Sequence, residues 1–276
     1  MMLLLKEILL HCQDQQKLLK NLLEFTTSQY YLGYSHDTSY EECTSIYESG
    51  SRTSGVYPIW LKERFQFTYV YCDMDLVSTK KGWTTIQRRM NGEVNFNRGW
   101  DDYVRGFGNP SSEHWLGLEN IYRLSRQNRF SINILGPINI KLPEVGFDLE
   151  DWDGMKAFVQ YTNFRLKSKA RNYELDVNGL DEAFKNIFSM APISGFEFST
   201  PDRDNDKNNE SHCASKYKSS WWFRYCVETH LNGPYPRYKQ PMSRKNIFWG
   251  GWQWLNPNNT ALHFASIKFY YSRDGL

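Results

Sequence analysis

GWTTIQRRMNGEVNFNRGWDDYVRGFGN, residues 82–109, is the stretch that decides the fold class. Trp83 to Arg89 is a short run rich in β-branched and aromatic residues, closed by Asn91-Gly92, and it reads as a strand. Asn91-Gly92 predicts a hairpin turn into Val94-Asn95-Phe96, because both turn positions tolerate positive φ. A short helix follows from about Arg98 to Gly106. Strand, turn and short helix in quick succession predict a mixed α+β domain dominated by antiparallel strands and long loops.

The same grammar extends outward from Cys43, with apolar runs broken by Gly, Asn, Asp and Pro. FQFTYVYC (65–72) reads as a strand, and further short helices are expected at Leu118 to Arg126 and at Gly179 to Phe188. Upstream, residues 1–25 place Leu5, Ile8, Cys12, Gln15, Leu19 and Leu22 on one stripe, the seam of a short coiled coil. An amphipathic helix lying on the main domain is the other reading of that stripe. On the seam of a parallel dimer Cys12 would face its mate and form an interchain bridge. Residues 26–42 lose the period and gain Ser, Thr and Gly, which marks a linker. No internal repeat is present.

The chain has 276 residues, a formal charge of +2 and 16% aromatic residues, including ten Trp and eighteen Tyr. That length suits one large domain with an appendage. Large flat side chains suit a β-rich core with many short elements. The near-neutral balance gives no footprint for nucleic acid, and no run of apolar residues is long enough to span a membrane. MMLLLKEILLHC is cut by Lys6 and Glu7 and reads as helix, not as a signal peptide. Five cysteines without a C-x-x-C pair point to disulfides ahead of metal ligation, and so to an oxidising compartment. A secreted chain without a leader is then expected to be a fragment. The motifs H-E-x-x-H, G-x-S-x-G and the P-loop are absent, so the chain does not read as an enzyme.

SGVYPIW (54–60), VYCDMD (70–75), the opening stretch, HWLGLENIYRL (114–124), LEDWDG (149–154), FSTPDRDND (198–206), WWFRYC (221–226) and LNGPY (231–235) occur in an order that closely resembles the fibrinogen C-terminal domain. Within that family, ECTSIYESGSRTSGVY (42–57) and HWLGLENIY are most similar to the angiopoietin-like proteins, the third and fourth above all. The resemblance implies a fibrinogen C-terminal-like globular domain over 43–274. Its parts would be a clipped N-terminal region, a central twisted antiparallel sheet and a loop-rich C-terminal region. It also implies the pairs Cys43 with Cys72 and Cys213 with Cys226, leaving Cys12 for the interchain bridge.

PDRDNDKNNESHC (201–213) carries Asp202, Asp204 and Asp206 at alternate positions, followed by Asn208 and Asn209. Hard oxygens in a short loop are what Ca²⁺ takes; a solvated acidic turn is the other reading. An EF-hand is excluded, because its sixth position would be Lys207 and its twelfth Cys213. The family resemblance implies a structural Ca²⁺ held by the side chains of Asp204 and Asp206 and by main-chain carbonyls near Asn208 and Glu210, with Asp202 holding the loop. The loop is one residue longer than the family pattern and has Glu210-Ser211 where a Gly commonly precedes the cysteine.

Lectin-like relatives such as ficolins have a His directly after the second cysteine of the later pair, in an acetyl-binding pocket; here that position is Val227, which offers no hydrogen bond. The resemblance also allows a cis Tyr225-Cys226 peptide. Trp221, Trp222, Tyr235 and Tyr238 are expected as core and pocket wall. Arg237, Lys239, Arg244 and Lys245 form either a solvated loop or a contact for a glycosaminoglycan or an acidic receptor face. Asn258 and Asn209 begin glycosylation sequons. LGPINIKLPEVGF (135–147) interrupts an expected strand with two Pro and two Gly, and is expected as a surface excursion or translated intron outside the ladder. The function these readings imply is that of a secreted angiopoietin-like ligand acting in vascular growth or lipid metabolism. It would bind a cell-surface receptor or integrin and oligomerise through its coiled coil. A calcium-dependent, ficolin-like lectin of innate immunity is the alternative.

Overall fold

The computed structural model describes residues 40–75, 81–127, 142–180, 193–226 and 228–271, all within one compact unit that begins at Tyr40. The elements are α1 (Cys43–Glu48), β1 (Gly55–Leu61), β2 (Gln66–Asp75), β3 (Lys81–Arg89), α2 (Trp100–Arg105), β4 (Phe107–Gly108), β5 (His114–Trp115) and α3 (Leu118–Leu124). They continue as β6 (Glu144–Asp151), β7 (Lys156–Leu166), β8 (Leu175–Leu180), α4 (Cys213–Tyr217), β9 (Thr229–His230), β10 (Phe248–Trp249) and β11 (Leu262–Tyr270). The fold is α+β, as expected.

The main sheet runs β1-β2-β3-β11-β6-β7-β8, with β5 also against β3 and β4 against β5, and its neighbours are antiparallel. Alternation decides which face of the first hairpin is covered. Ile59, Leu61, Val70 and Cys72 are buried, whereas Val56 and Tyr69, on the other face, are exposed. Cys43 at the start of α1 is bonded to Cys72 of β2, with Cα atoms 5.4 Å apart. Its amide donates to Thr84 Oγ1 at 3.1 Å, so the clip also holds β3. Among the described residues no helix is long and apolar enough to cross a membrane.

Several sequence expectations need correction. Tyr40 to Glu42, assigned to the linker, belong to the domain. Trp60 N–H donates to the Tyr40 carbonyl at 2.7 Å, Gln127 Nε2 donates to the Glu41 carbonyl at 3.1 Å, and Glu42 is buried. Val94-Asn95-Phe96 is not a strand, so Asn91-Gly92 turns the chain without making a hairpin. Gly179 and Leu180 lie in β8, not in a helix, and 181–188 fall outside the described residues. The short helices α1 and α4 were not anticipated.

The largest correction concerns 135–147. Residues 135–141 lie outside the described set, but Glu144 to Phe147 open β6 and pair with β11 on one side and β7 on the other. Pro143 ends just before the ladder, so its missing N–H interrupts nothing, and its carbonyl accepts from Phe164 N–H at 3.0 Å. Gly146 sits where the Phe158 ring crosses the sheet, since an added Cβ would lie 2.4 Å from that ring. The glycine that argued against a strand is what lets the ring pass.

The C-terminal loops rest on an aromatic plate. Phe198 stacks on Trp115 with centroids 5.9 Å apart and meets Trp222 edge-on at 5.0 Å, and Tyr103 lies 5.5 Å from Trp115. Two of the indole N–H groups find carbonyls: Trp115 donates to that of Tyr103 at 2.9 Å and Trp222 to that of Tyr173 at 2.8 Å. Trp221 and Trp222 are core, as expected, whereas Tyr238 is 69% exposed and walls nothing.

Candidate functional site

The acidic loop leaves the aromatic plate at Phe198 and returns to it at Trp221. Ser199 and Trp221 exchange backbone hydrogen bonds at 2.9 and 3.1 Å, closing its base. Asp202 reaches across to cap α2, whose own N-cap, Gly99, has no side chain. Trp100 N–H donates to Asp202 Oδ1 at 2.9 Å, and Thr200 Oγ1 donates to the same oxygen at 2.6 Å. A Cβ on Gly99 would lie 2.6 Å from Asp202 Oδ2. Burial pushes this carboxyl up, but the donors from Thr200 and Trp100 outweigh it and hold the pKa below the ordinary value. Asp202 therefore holds the loop within its own turn, through Thr200, and also acts across 102 residues, through Trp100.

Asp204 and Asp206 come together at the outer side of the loop. Asp206 N–H donates to Asp204 Oδ1 at 3.2 Å, and Asp206 accepts from Asn208 N–H at 2.8 Å and from Cys213 N–H at 2.9 Å. Burial, followed by contact with the Asp204 carboxylate, outweighs those two donors and raises the Asp206 pKa. Two carboxylates this close call for a shared proton or a cation. Among the described residues no group of three or more His, Cys, Asp or Glu could hold a metal ion by side chains alone. A hard cation such as Ca²⁺ would need main-chain carbonyls and water to complete its shell around these two carboxylates.

Asn208 and Glu210 do not join that pair through their side chains. Asn208 Nδ2 points to Cys226 Sγ at 3.2 Å and to Ser211 Oγ at 3.1 Å, and its Oδ1 accepts from Glu210 N–H at 3.0 Å. Glu210 is exposed. Only their main-chain carbonyls remain as the resemblance would use them. Cys213 and Cys226 are bonded, with Cα atoms 5.0 Å apart. Cys226 adopts φ +83°, and no peptide among the described residues is cis. Val227 and Cys12 lie outside the described residues. Asn209 and Asn258 are both exposed in turns, although Thr260 of the second sequon is buried with its hydroxyl on Asp153.

Three residues that hold these loops had no signal in the sequence. Arg89 and Glu113 are fully buried, with Arg89 Nε 3.6 Å from Glu113 Oε1. Arg89 Nη1 donates to the carbonyls of Leu231 at 3.0 Å and Gly233 at 2.7 Å. Burial lowers its pKa to about 10, against the pull of Glu113. His230 is buried between Ser219 Oγ (3.1 Å) and the Arg244 carbonyl (2.7 Å), and burial lowers its pKa to about 4.

The family described as fibrinogen beta and gamma chains, C-terminal globular domain, matches residues 39–270. The chain belongs to that family. As a fibrinogen C-terminal domain it is 38% identical over 199 residues to angiopoietin-4 of Bos taurus, covering 72% of this chain and 36% of that protein. It is 32% identical over 232 residues to fibroleukin of Bos taurus, covering 83% of this chain and 49% of that protein. The chain therefore spans less than half the length of these relatives. Among solved structures, the fibrinogen-like globe domain of human ANGPTL6 superposes with a TM-score of 0.71 at 29% identity, covering 86% of this chain and 97% of that one. The corresponding human ANGPTL2 domain gives a TM-score of 0.71 at 31% identity, covering 84% and 98%. The fibrinogen-domain relatives thus include both angiopoietins and angiopoietin-like proteins.

Proposed function

We propose that this chain is the receptor-reading part of a secreted, angiopoietin-like ligand, and that a structural Ca²⁺ between Asp204 and Asp206 stiffens the surface that is read. The observation carrying this is the bracing of the C-terminal loops by the Cys213–Cys226 bond, by Asp202 on α2 and by Arg89 on the Leu231 and Gly233 carbonyls. Irregular loops held this way lose little conformational freedom on docking, which favours affinity. The likeness to angiopoietins and angiopoietin-like domains supports the ligand class, and the two disulfides support export to an oxidising compartment. Oligomerisation through residues 1–25 would raise avidity.

The test is binding of the full chain, secreted from cultured cells, to endothelial receptor ectodomains and integrins, with and without chelator. The proposal expects saturable binding to one of these, lost on chelation and in Asp204→Ala. Retention only on acetylated-sugar beads, with release by free acetate, would replace it with the lectin reading.

A further inference from the structure

PYPRYKQPMSRKNI, residues 234–247, contains four Lys and Arg and no Asp or Glu. The whole chain carries +2 and this loop +4, so the remaining residues sum to −2. The net positive excess of the chain is thus no larger than the charge of this one segment, in which no acidic residue offsets the four cations.

The segment is an Ω-loop, since its ends meet where Ile247 N–H donates to the Pro234 carbonyl at 3.0 Å. Three prolines stiffen it. Its middle is tied down by Ala261 N–H on the Gln240 carbonyl at 2.9 Å and Met242 N–H on the Asn259 carbonyl at 2.6 Å. Inside, the Tyr235 hydroxyl lies 2.9 Å from the Met90 carbonyl and 2.8 Å from that of His263, while His230 holds the Arg244 carbonyl. Arg237, Lys239, Arg244 and Lys245 are all exposed. Lys239 pairs with Asp153. Among the described residues the other three have no acidic partner.

We propose that this loop is a docking surface for a sulfated polysaccharide of the glycosaminoglycan class, a partner distinct from the receptor. A folded protein needs a fully buried apolar centre in its interface, and the loop exposes one large apolar side chain, Tyr238. A chain polyanion needs only cations held at fixed positions, and arginine's planar fork matches oxyanions in two-point contact. Backbone ordering is already complete before such a ligand arrives, so little freedom is lost on binding. Attraction between exposed charges weakens as salt rises, which gives the interaction its signature.

The experiment compares the full chain with two triple variants on immobilised heparin in a salt gradient, with titration by a heparin octasaccharide as a second measurement. One variant is R237S/R244S/K245S; the other, K62S/K169S/R171S, removes the same charge elsewhere on the surface. The loop triple is expected to elute at clearly lower salt and to bind about a hundredfold more weakly, each fixed cation on an anionic surface being worth roughly a factor of five. The control triple should stay within about threefold, since its charges lie away from the loop. Single R237S and K245S chains, each about fivefold weaker, serve if the triple does not fold. Equal losses in both triples, or no retention of the parent chain, would overturn the proposal. So would competition by polyglutamate as strong as by heparin, which would point to an acidic polypeptide.

Discussion

Glu113 accepts four consecutive-turn amides around a single carboxylate: Met90, Asn91 and Gly92 N–H on Oε1 at 2.9, 3.3 and 3.0 Å, and Val94 N–H on Oε2 at 2.9 Å, with Arg89 beside it. This explains why Asn91-Gly92 turns without a partner strand. The amides that would have built a hairpin ladder are taken by a side chain from β5's doorstep. Burial raises the Glu113 pKa, but the donors from Val94, Met90 and Gly92 and the charge of Arg89 together bring it below the ordinary value.

Removing one member of this pair should be costly. Arg89→Met leaves a buried carboxylate and frees the Leu231 and Gly233 carbonyls, for a loss of about 3 to 5 kcal/mol. Urea unfolding measures it, and a loss below about 1 kcal/mol would show that water or another cation takes over the site.

Asp202 and Asp206 should separate cleanly. Asp202→Ala removes a helix cap and costs about 1 kcal/mol, while leaving any stabilisation by added Ca²⁺ in place. Asp206→Ala should abolish that stabilisation, because it removes one of the two carboxylates of the proposed Ca²⁺ site. Thermal unfolding with calcium and with chelator distinguishes the two, and equal calcium responses would place the cation elsewhere.

The disulfides close loops of different length, 29 and 13 residues apart in sequence. In the chain-entropy account, Cys213→Ser/Cys226→Ser costs about 3 kcal/mol and Cys43→Ser/Cys72→Ser about 0.7 kcal/mol more. Denaturant midpoints of the two paired variants test the order.

His114 and His230 are buried neutral, and burial lowers both pKa values to about 4. The unfolded chain takes up these protons at the ordinary value of about 6.5. The folded state is thus favoured above that pH, and its advantage is lost as pH falls from about 6.5 to 4, by about 3 kcal/mol for each residue. Chemical unfolding between pH 7 and 4 should show this slope, and His230→Gln should reduce it by about half. An unchanged slope would mean that other groups carry the acid sensitivity.

Much of this architecture could be read locally. β2 and β3 follow from alternation and β-branched runs, and the strand ends match within a few residues. The family motifs led to the cysteine pairs and to Asp204 with Asp206, which the structure brings together. What escaped notice acts across long separations. Asp202 works on a helix 102 residues away, and Arg89 on a carbonyl 142 residues away. Neither leaves a periodic trace. The misreading of Glu144 to Phe147 has the same origin, since Pro143 and Gly146 look disruptive until Phe158 is placed beside them.

β11 lies between β3 and β6 although it follows every other described element in the chain. During synthesis, therefore, the two halves of the sheet must wait with facing edges open until the final strand emerges to join them. Such edges are sticky. A stop codon shortly before Leu262 would therefore yield two unjoined half-sheets prone to aggregate instead of a slightly shortened domain.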